Sequence, residues 1–299
     1  MTGYTESVTA KLCSFARAYH SNTSREKIFD DYLAFDLMGK EEYDKIGQLI
    51  ENDYTEAFDP AKTFSAAVIR KNLSYISPIP LFRAASAENE LMRFAAENGG
   101  CQYVICGAGM DTFSFRNDNE NITVFELDHP DTQRYKKERI HSLEWTIPKN
   151  VHFVAADLSK DDMAEKLISA GFAPDKPSFF AILGVTYYLT LPVFGETLEK
   201  ISALATPGSL AVFDFPDKGA FGDDAEKRIQ TLSGIAADFG EPMTGGFSAD
   251  ELKKLLAEHD FKIYRHEAPE HIQQQYFTER SDGQAAYENI HFIIAQKGR

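Results

Sequence analysis

Short apolar segments alternate with helical ones beyond residue 100, and this alternation is the strongest constraint on the fold. The apolar runs are rich in β-branched or aromatic residues and lie at 102–106, 122–127, 151–155, 178–183 and 209–215. Helical patterns separate several of these runs, at about 130–143, 160–170, 191–205 and 248–259. Strands that alternate with helices in this way form a parallel sheet with helices on both faces. We therefore predict a doubly wound α/β core.

The last two apolar runs, 261–267 and 287–297, follow each other without a clear helix between them. In the second run, Ile290, Phe292 and Ile294 recur with a period of two, as on one face of a strand. Consecutive strands that lack a crossover helix pair antiparallel. We expect one of the two closing strands to run against the rest of the sheet.

The first hundred residues have a helical rather than an alternating pattern. Apolar residues recur at helical spacing over 8–15, for example. A Ser-Pro-Ile-Pro segment at 77–80 predicts a break, followed by a helix from about 81 to 97. The sequence thus divides into an N-terminal helical lobe, 1–98, and a core, 99–299, and we expect both to belong to one domain.

The net charge narrows the class of expected partner, and the cysteines indicate the cellular compartment. The chain carries 46 acidic and 31 basic residues, for a net charge of −15. Such a surface repels phosphate backbones and anionic lipid, so neither nucleic acid nor a membrane is an expected partner. Three cysteines and an N-terminus without an apolar signal segment favour a reducing, cytoplasmic location. No cluster with metal-ligand spacing is present, and we expect no metal site.

A glycine pair directly follows the first strand. Gly107-Ala108-Gly109 stands at the carboxyl end of that strand, where open α/β sheets bind their ligands. Glu126 and Asp128 follow 19 and 21 residues beyond Gly107, at the end of the next strand. Acids at this spacing can accept hydrogen bonds from ribose hydroxyls, although an acid there can equally begin the next helix.

The third position of the glycine motif discriminates between adenosine ligands. A dinucleotide site requires G-x-G-x-x-G, and Thr112 stands where the third glycine belongs. A pyrophosphate cradle is therefore disfavoured, and NAD or FAD becomes the second choice. S-adenosylmethionine needs the ribose acid and no phosphate cradle, so it is the favoured cofactor.

Several motifs, in order, resemble the leucine carboxyl methyltransferase family, which includes carboxyl methyltransferases of the tetracenomycin type. They are FARAYH (15–20), FDDYLA (29–34), GAGMDTFSFR (107–116), FELDHP (125–130), AADLSK (155–160), GFAPDKPSFFAILGVTYYLT (171–190) and HFIIAQK (291–297). The resemblance covers nearly the whole chain. It implies a class I methyltransferase fold, with a seven-stranded, mostly parallel sheet, an antiparallel last strand and S-adenosylmethionine as the cofactor.

The resemblance also assigns roles to single residues. The methionine part of the cofactor would lie on the glycine loop, formed by Gly107, Ala108, Gly109 and Asp111. Asp128, with Glu126 beside it, would hold the ribose, and Asp157 and Leu158 would flank the adenine. Arg83 would grip the cofactor carboxylate. Arg17 of the first helix would close over the cofactor.

One position departs from the family pattern. The family has Glu at the end of the fourth strand, in a pattern like E-G-V-x-x-Y-L, and Leu183 stands there in this chain. The cofactor amino group must then be bound in another way, for instance by backbone carbonyls. Tyr187, which follows this strand, and Tyr19 in the lobe are candidates for the substrate pocket.

The sequence therefore predicts an O-methyltransferase that uses S-adenosylmethionine, acts on a carboxylate or hydroxyl of a small molecule such as a polyketide-like metabolite, and is a monomer or a homodimer. A carboxylate is favoured because no histidine–carboxylate pair stands near the glycine loop to serve as a base. Two alternatives remain open: a nucleotide-linked oxidoreductase, and a catalytically silent protein that binds the cofactor only. Calorimetry with S-adenosylmethionine and NAD separates the first of these from the leading prediction.

Overall fold

A computed structural model describes residues 7–54, 58–157, 160–222 and 225–298. Its central feature is a single sheet of seven strands. They are β1 (Cys101–Cys106), β2 (Ile122–Asp128), β3 (Val151–Ala155), β4 (Ser178–Ile182), β5 (Leu210–Pro216), β6 (Phe261–Glu267) and β7 (Ile290–Lys297). Each coincides with an apolar run predicted from the sequence, to within three residues at either end.

The strand order is β3-β2-β1-β4-β5-β7-β6. Strands β1 to β5 run parallel, whereas β7 lies antiparallel between β5 and β6. The expectation of a mostly parallel sheet with an antiparallel last strand is confirmed. The order reverses at β1, so the turns after β1 and β4 open on a crevice at the same edge of the sheet.

Twelve helices surround this sheet within the described residues. They are α1 (Val8–Thr23), α2 (Ala34–Met38), α3 (Lys40–Glu51), α4 (Ala66–Leu73), α5 (Pro78–Asn98), α6 (Phe113–Arg116), α7 (Pro130–Ser142), α8 (Met163–Ser169), α9 (Leu191–Leu204), α10 (Lys227–Asp238), α11 (Ala249–Glu258) and α12 (Pro269–Ile272). Short 3₁₀ segments lie at Thr186–Tyr188 and Lys218–Phe221, and a π-helical turn at Gln273–Phe277.

Both faces of the sheet are covered, which explains why its strands appear as continuous apolar runs. Along β1, Tyr103 and Ile105 belong to the cluster shared with the N-terminal helices. The alternate residues, Val104 and Cys106, belong to the cluster shared with α8, α9 and α11. Burial raises the pKa of the Cys106 thiol to about 12, so this cysteine is a packing residue rather than a nucleophile.

The chain breaks between helices at 74–77, slightly earlier than predicted, and the next helix begins at residue 78 rather than at about 81. Helix α5 begins at Pro78, and Pro80 also lies in its first turn. The first backbone N–H groups of a helix have no partner within the helix, so proline loses nothing there. The two prolines thus belong to the first turn of a 21-residue helix that packs on the sheet and is capped by Gly99.

Helix α10 was not predicted, and the glycine loop leads into less helix than expected. The sequence pattern assigns no element to 216–247, whereas Lys227–Asp238 is helical. Conversely, only the single turn Phe113–Arg116 follows Gly109. The short turn leaves the loop free to be positioned by contacts with β2 and the lobe.

Candidate functional site

A cavity lies at the carboxyl ends of β1 and β4 and is closed by the lobe and α10. Most of the predicted site residues line it: Arg17, Arg83, Gly107, Ala108, Gly109, Asp111, Leu183 and Tyr187. Tyr19, Glu126, Asp128 and Asp157 are placed outside this lining. Leu158 lies outside the described residues.

The glycine loop is held in a conformation that suits glycine. Gly107 and Gly109 have φ angles of +76° and +50°. The amides of Gly107 and Ala108 both donate to the carbonyl of Leu127, at 2.8 and 3.2 Å. A side chain on Gly107 would be strained by the backbone and would approach Val185 across the cavity, to 3.4 Å for its Cβ. The loop thus exposes bare backbone to the cavity.

Asp128 fixes this loop from the end of β2. Its carboxylate accepts the Gly109 amide and, at 2.6 Å, the amide of His129, which begins α7. Burial raises the pKa of Asp128, while these two backbone donors oppose that rise. Asp128 thus stands at the start of the next helix, as one interpretation of the sequence has it, and its carboxylate also orients the glycine loop.

Glu126 points away from the cavity. Its carboxylate is only 1% exposed and accepts from the Lys136 ammonium and the Ser114 hydroxyl, each at 2.5 Å. Burial raises its pKa, and Lys136 opposes this rise. With both oxygens engaged inside the protein, Glu126 joins β2 to α6 and α7 and has no access to a bound ribose.

Arg83 approaches the cavity from α5 and forms an ion pair with Asp214 of β5. The distance from Nη1 of Arg83 to Oδ2 of Asp214 is 3.2 Å. Asp214 is completely buried, whereas the arginine side chain is 14% exposed. Burial opposes the charge on Arg83, but the facing carboxylate raises its pKa above the usual value. Arg83 therefore presents a permanent cation to the cavity.

Two further donors converge on Asp214. The Tyr187 hydroxyl donates to Oδ2 at 2.8 Å, and the Gly184 amide donates to Oδ1 at 2.7 Å. Gly184 has a φ of +71°, and a Cβ there would lie 2.5 Å from the Arg83 guanidinium. Burial and the neighbouring Asp214 raise the pKa of Tyr187 well above its usual value. The hydroxyl is thus a fixed donor and stays protonated at neutral pH.

Arg17 is anchored in a comparable way from α1. It donates to Asp31 and to the carbonyl of Met110, each at 2.9 Å. Asp31 also accepts from the hydroxyl of Thr112, directly after the glycine loop. Thr112, noted in the sequence as the residue that replaces a third glycine, thus links the loop to the lobe.

Tyr19 and Asp157 have other contacts. The Tyr19 hydroxyl donates to the carbonyl of Ala66 at 3.1 Å, and its ring stacks on Phe15 inside the lobe. Asp157 follows β3 at the carboxyl edge of the sheet and pairs with Lys160. Its position beside β2 is the one that the family resemblance gives to a residue near the adenine.

The apolar walls of the cavity were not predicted. Ile76 lies in the turn before α5 and Ile79 in its first turn, while Leu232, Ile235 and Met243 contribute from α10 and the segment after it. The spacing of Leu232 and Ile235 is that of one helix face, and it is the only signal the sequence offered for this wall.

A second missed feature closes the cavity near the N-terminus of α1. The Glu241 carboxylate accepts the amides of Val8 and Thr9 at 2.9 and 3.3 Å, together with the hydroxyls of Ser7 and Thr9. The Thr9 hydroxyl lies 3.1 Å from that of Tyr188, a cavity residue. Glu241 therefore fastens α1 to the segment after α10, across the cavity.

A comparison with known protein families identifies the family of this chain. The model of the leucine carboxyl methyltransferase family matches residues 10–202, about two thirds of the chain. The chain belongs to the leucine carboxyl methyltransferase family. Its class I fold and S-adenosylmethionine as its cofactor agree with the expectations from the sequence, and the oxidoreductase alternative falls away.

Similar proteins extend this result. A protein from Bacillus subtilis (strain 168), provisionally named S-adenosyl-L-methionine-dependent methyltransferase YktD, is 36% identical over 97% of this chain and 98% of its own length. Among solved structures, a provisionally named methyltransferase from Thermobifida fusca superposes with a TM-score of 0.52 at 13% identity, covering 85% of this chain and 94% of its own. A DUF574-family protein from Streptomyces avermitilis gives 0.54 at 12%, covering 85% and 96%. These two similarities show the shared fold.

None of the helices in the described part of the chain is long and apolar enough to cross a bilayer.

Proposed function

We propose that this methyltransferase esterifies a carboxylate on a small, largely apolar acceptor. A polyketide-like acid is the type of molecule that the family resemblance suggests. The observation that carries this proposal is that no histidine stands among the described residues that line the cavity.

The residues in and beside the cavity suit S-adenosylmethionine, the cofactor that the family implies. The bare backbone of Gly107 and Gly109 lets a ligand approach closely, and Arg17 and Arg83 supply cations for an amino-acid carboxylate. Asp128 stands at the end of β2, where the ribose would lie, and Asp157 at the end of β3, toward the adenine. When bound, the cofactor supplies a methyl group already activated by a sulfonium. The residues of the chain have only to bind, orient and exclude water.

The titratable groups of the lining explain why a carboxylate is favoured. Tyr187 donates its hydroxyl to Asp214, and burial raises the pKa of Tyr188 to about 12, so neither can take a proton at neutral pH. Asp111 is the one acid among the described lining residues, and it accepts the Phe113 amide at 2.7 Å. A carboxylate acceptor, with a pKa near ~4, is already ionised and needs no base, whereas a phenol near ~10 does.

The apolar wall determines the body of the acceptor. Ile76, Ile79, Leu232, Ile235 and Met243 offer no hydrogen bonds, so they favour an acceptor whose surface beyond the reacting group is hydrocarbon or aromatic. Exclusion of water by this wall strengthens the electrostatic interactions of the arginines inside the cavity. Alignment of the acceptor oxygen with the methyl group can supply roughly 7–11 kcal/mol of the barrier.

The test uses the chemistry of the product, so the acceptor need not be identified first. The protein is incubated with methyl-labelled S-adenosylmethionine and a low-molecular-mass bacterial extract, and the labelled products are treated with mild alkali. We expect the label to be released as volatile methanol, because methyl esters hydrolyse and methyl ethers do not. Label that resists alkali would contradict the carboxyl acceptor. Tight cofactor binding without any labelled product would favour the catalytically silent alternative.

Matched acceptors then test the absence of a base. 2-Naphthoate and 2-naphthol present a carboxylate and a phenol on the same apolar body. We expect detectable transfer to the carboxylate, with a rate that stays flat from pH 6 to 9. Transfer to the phenol alone, rising steeply with pH, would overturn the proposal.

A further inference from the structure

Asp214 occupies an unusual place beside the cavity. It is fully buried and does not line the cavity, yet its carboxylate contacts three groups that do. These are the Arg83 guanidinium, the Tyr187 hydroxyl and the Gly184 amide, at 3.2, 2.8 and 2.7 Å. The three groups belong to α5, to the 3₁₀ segment Thr186–Tyr188 and to the turn after β4. One carboxylate of β5 therefore joins α5 to two points of the connection that follows β4.

The three contacts are divided between the two oxygens of the Asp214 carboxylate, and this division restricts the rotation of the carboxylate. Oδ1 accepts the Gly184 amide, and Oδ2 accepts both Tyr187 and Arg83. Since the amide and the hydroxyl are themselves held by the backbone and by burial, the carboxylate plane cannot rotate freely. Arg83 donates to Oδ2 through Nη1, while its Nη2 donates to Sγ of Cys13, a cavity residue, at 3.8 Å, so the guanidinium is held at two points. Gly184 leaves room for the guanidinium, because a Cβ there would collide with it.

The pairing with Asp214 also reduces the side-chain entropy that Arg83 loses when it binds an anion. Alone, the guanidinium would be a long, flexible cation that loses side-chain entropy whenever it binds an anion. Paired with Asp214, much of that entropy is already lost in the free protein. Arg83 thus depends on Asp214 of β5.

We propose that Asp214 is a positioning residue that pre-organises Arg83 for the amino-acid carboxylate of the cofactor. This inference rests on the proposed function, because it assumes that Arg83 receives that carboxylate. Asp214 itself touches neither cofactor nor acceptor and acts through Arg83. Tyr187 and Gly184 serve to hold the Asp214 carboxylate.

Two ligands that differ in the amino-acid group isolate the effect of Asp214 on carboxylate binding. S-adenosylhomocysteine carries the amino-acid group, whereas 5′-methylthioadenosine lacks it and keeps the adenosine and sulfur. Calorimetry measures the dissociation constant of each ligand for the wild type and for Asp214→Asn, which has nearly the same shape. We expect the variant to bind S-adenosylhomocysteine about tenfold more weakly or worse and to bind 5′-methylthioadenosine within about twofold of the wild type.

A double-mutant cycle tests whether the effect passes through Arg83. In an Arg83→Met background, Asp214→Asn should cause no further loss of S-adenosylhomocysteine affinity. Asp250→Asn, an exposed acid in the first turn of α11, is the matched control and should leave both ligands unaffected. Equal loss of both ligands in Asp214→Asn, or additive losses in the cycle, would show that Asp214 is merely structural.

The outcomes also separate this inference from the proposed function. If the wild type binds neither ligand, the proposed function fails. If it binds both and Asp214→Asn binds S-adenosylhomocysteine as well as the wild type or better, only the positioning role is overturned. Should Asp214→Asn fail to fold, Asp214→Glu keeps the charge and displaces the carboxylate by one methylene. We expect the same loss, selective for S-adenosylhomocysteine.

Discussion

Arg17 and Arg83 belong to different helices, α1 and α5, yet both guanidinium groups line the same cavity, and each is paired with a buried aspartate. Asp31 is the partner of Arg17 and Asp214 that of Arg83, with side chains 1% and 0% exposed. Such pairing stabilises a cation inside the protein while using only part of its five N–H donors. In a chain with a net charge of −15, these two arginines provide local attraction for an anionic group.

The first prediction concerns the geometry of Arg83. Arg83→Lys keeps the positive charge but replaces a planar fork by a point charge, so bidentate contact with a carboxylate is lost. We expect S-adenosylhomocysteine to bind about tenfold more weakly, as measured by calorimetry. Arg70→Lys, at an exposed position of α4, is the matched control. Unchanged affinity in a folded Arg83→Ala variant would assign the carboxylate to another residue, with Arg17 the next candidate.

Asp128→Asn should weaken cofactor binding through the glycine loop. The substituted amide can accept only one of the two backbone N–H groups that the carboxylate accepts now, and it turns a donor toward the other. Charge-assisted bonds contribute roughly 1.5–3 kcal/mol each, so S-adenosylhomocysteine affinity should fall at least about tenfold. Asp118→Asn changes an exposed acid of the same region and should have no effect. Equal affinity in the two variants would argue against Asp128.

The buried pair of Glu126 and Lys136 predicts a strong coupling in stability. Lys136→Met leaves the Glu126 carboxylate buried without its cation, which should lower the free energy of unfolding by about 3–5 kcal/mol. The double variant Glu126→Gln/Lys136→Met removes both charges and should recover most of this loss. Urea denaturation measures both. Additive effects of the two substitutions would show that the residues do not act as a pair.

His20 predicts how stability depends on pH. Burial, and next the nearby Arg280, lower its pKa to about 4, and its neutral ring accepts the Ile28 amide at 2.8 Å. Because the unfolded chain takes up this proton near ~6.5, the contribution of His20 is complete above that pH and is lost as the pH falls toward 4. Between pH 7 and 5 the loss from this group should be about 2 kcal/mol.

Urea denaturation of wild type and His20→Gln at pH 7 and pH 5 measures that contribution. The glutamine oxygen can still accept the Ile28 amide but does not titrate, so the variant should lose about 2 kcal/mol less than the wild type between the two values. Identical pH dependence in both proteins would mean that His20 is protonated in the folded state.

Glu241→Gln should loosen the first turn of α1. The carboxylate satisfies two backbone N–H groups that have no partner within the helix, and loss of such capping costs about 0.5–2 kcal/mol. Hydrogen exchange of the Val8 and Thr9 amides should become faster, while that of β1 stays unchanged. Glu258→Gln, at an exposed position near the end of α11, is the control. Protection of Thr9 equal to that in the wild type would exclude this role.

The central strands β1, β4 and β5 were predictable because each is buried on both faces and is bounded by loops or helices. Phe179 and Phe180, for example, point to opposite sides of the sheet and are both fully buried, so the whole run appears apolar in the sequence. Helix α10 was missed because polar residues interrupt its buried residues Ile229, Leu232 and Ile235, which belong to the cluster shared with the N-terminal helices. Its buried face becomes apparent only when the lobe is in place.

The cavity residues that belong to family motifs could be predicted from the sequence. Residues that contact them from distant parts of the chain could not. Arg83 and the glycine loop were found from the order of the motifs. Asp214 lies 131 residues beyond Arg83, on a strand whose sequence is simply apolar in pattern, and no local signal connects the two. Glu126 and Asp128 have nearly the same spacing from Gly107 and share one face of β2, so only their position along the strand separates them: Glu126 lies within β2 and Asp128 at its carboxyl end.

The position of β7 inside the sheet, rather than at its edge, has a consequence for how the protein is made. Both long edges of β7 are paired, one with β5 and the other with β6, so β5 exposes an unpaired edge until residues 290–297 have been synthesised. The sheet can therefore close around Asp214 only after residues 290–297 have left the ribosome. Deletion of residues 290–297 would leave the facing edges of β5 and β6 unpaired, which favours aggregation over folding.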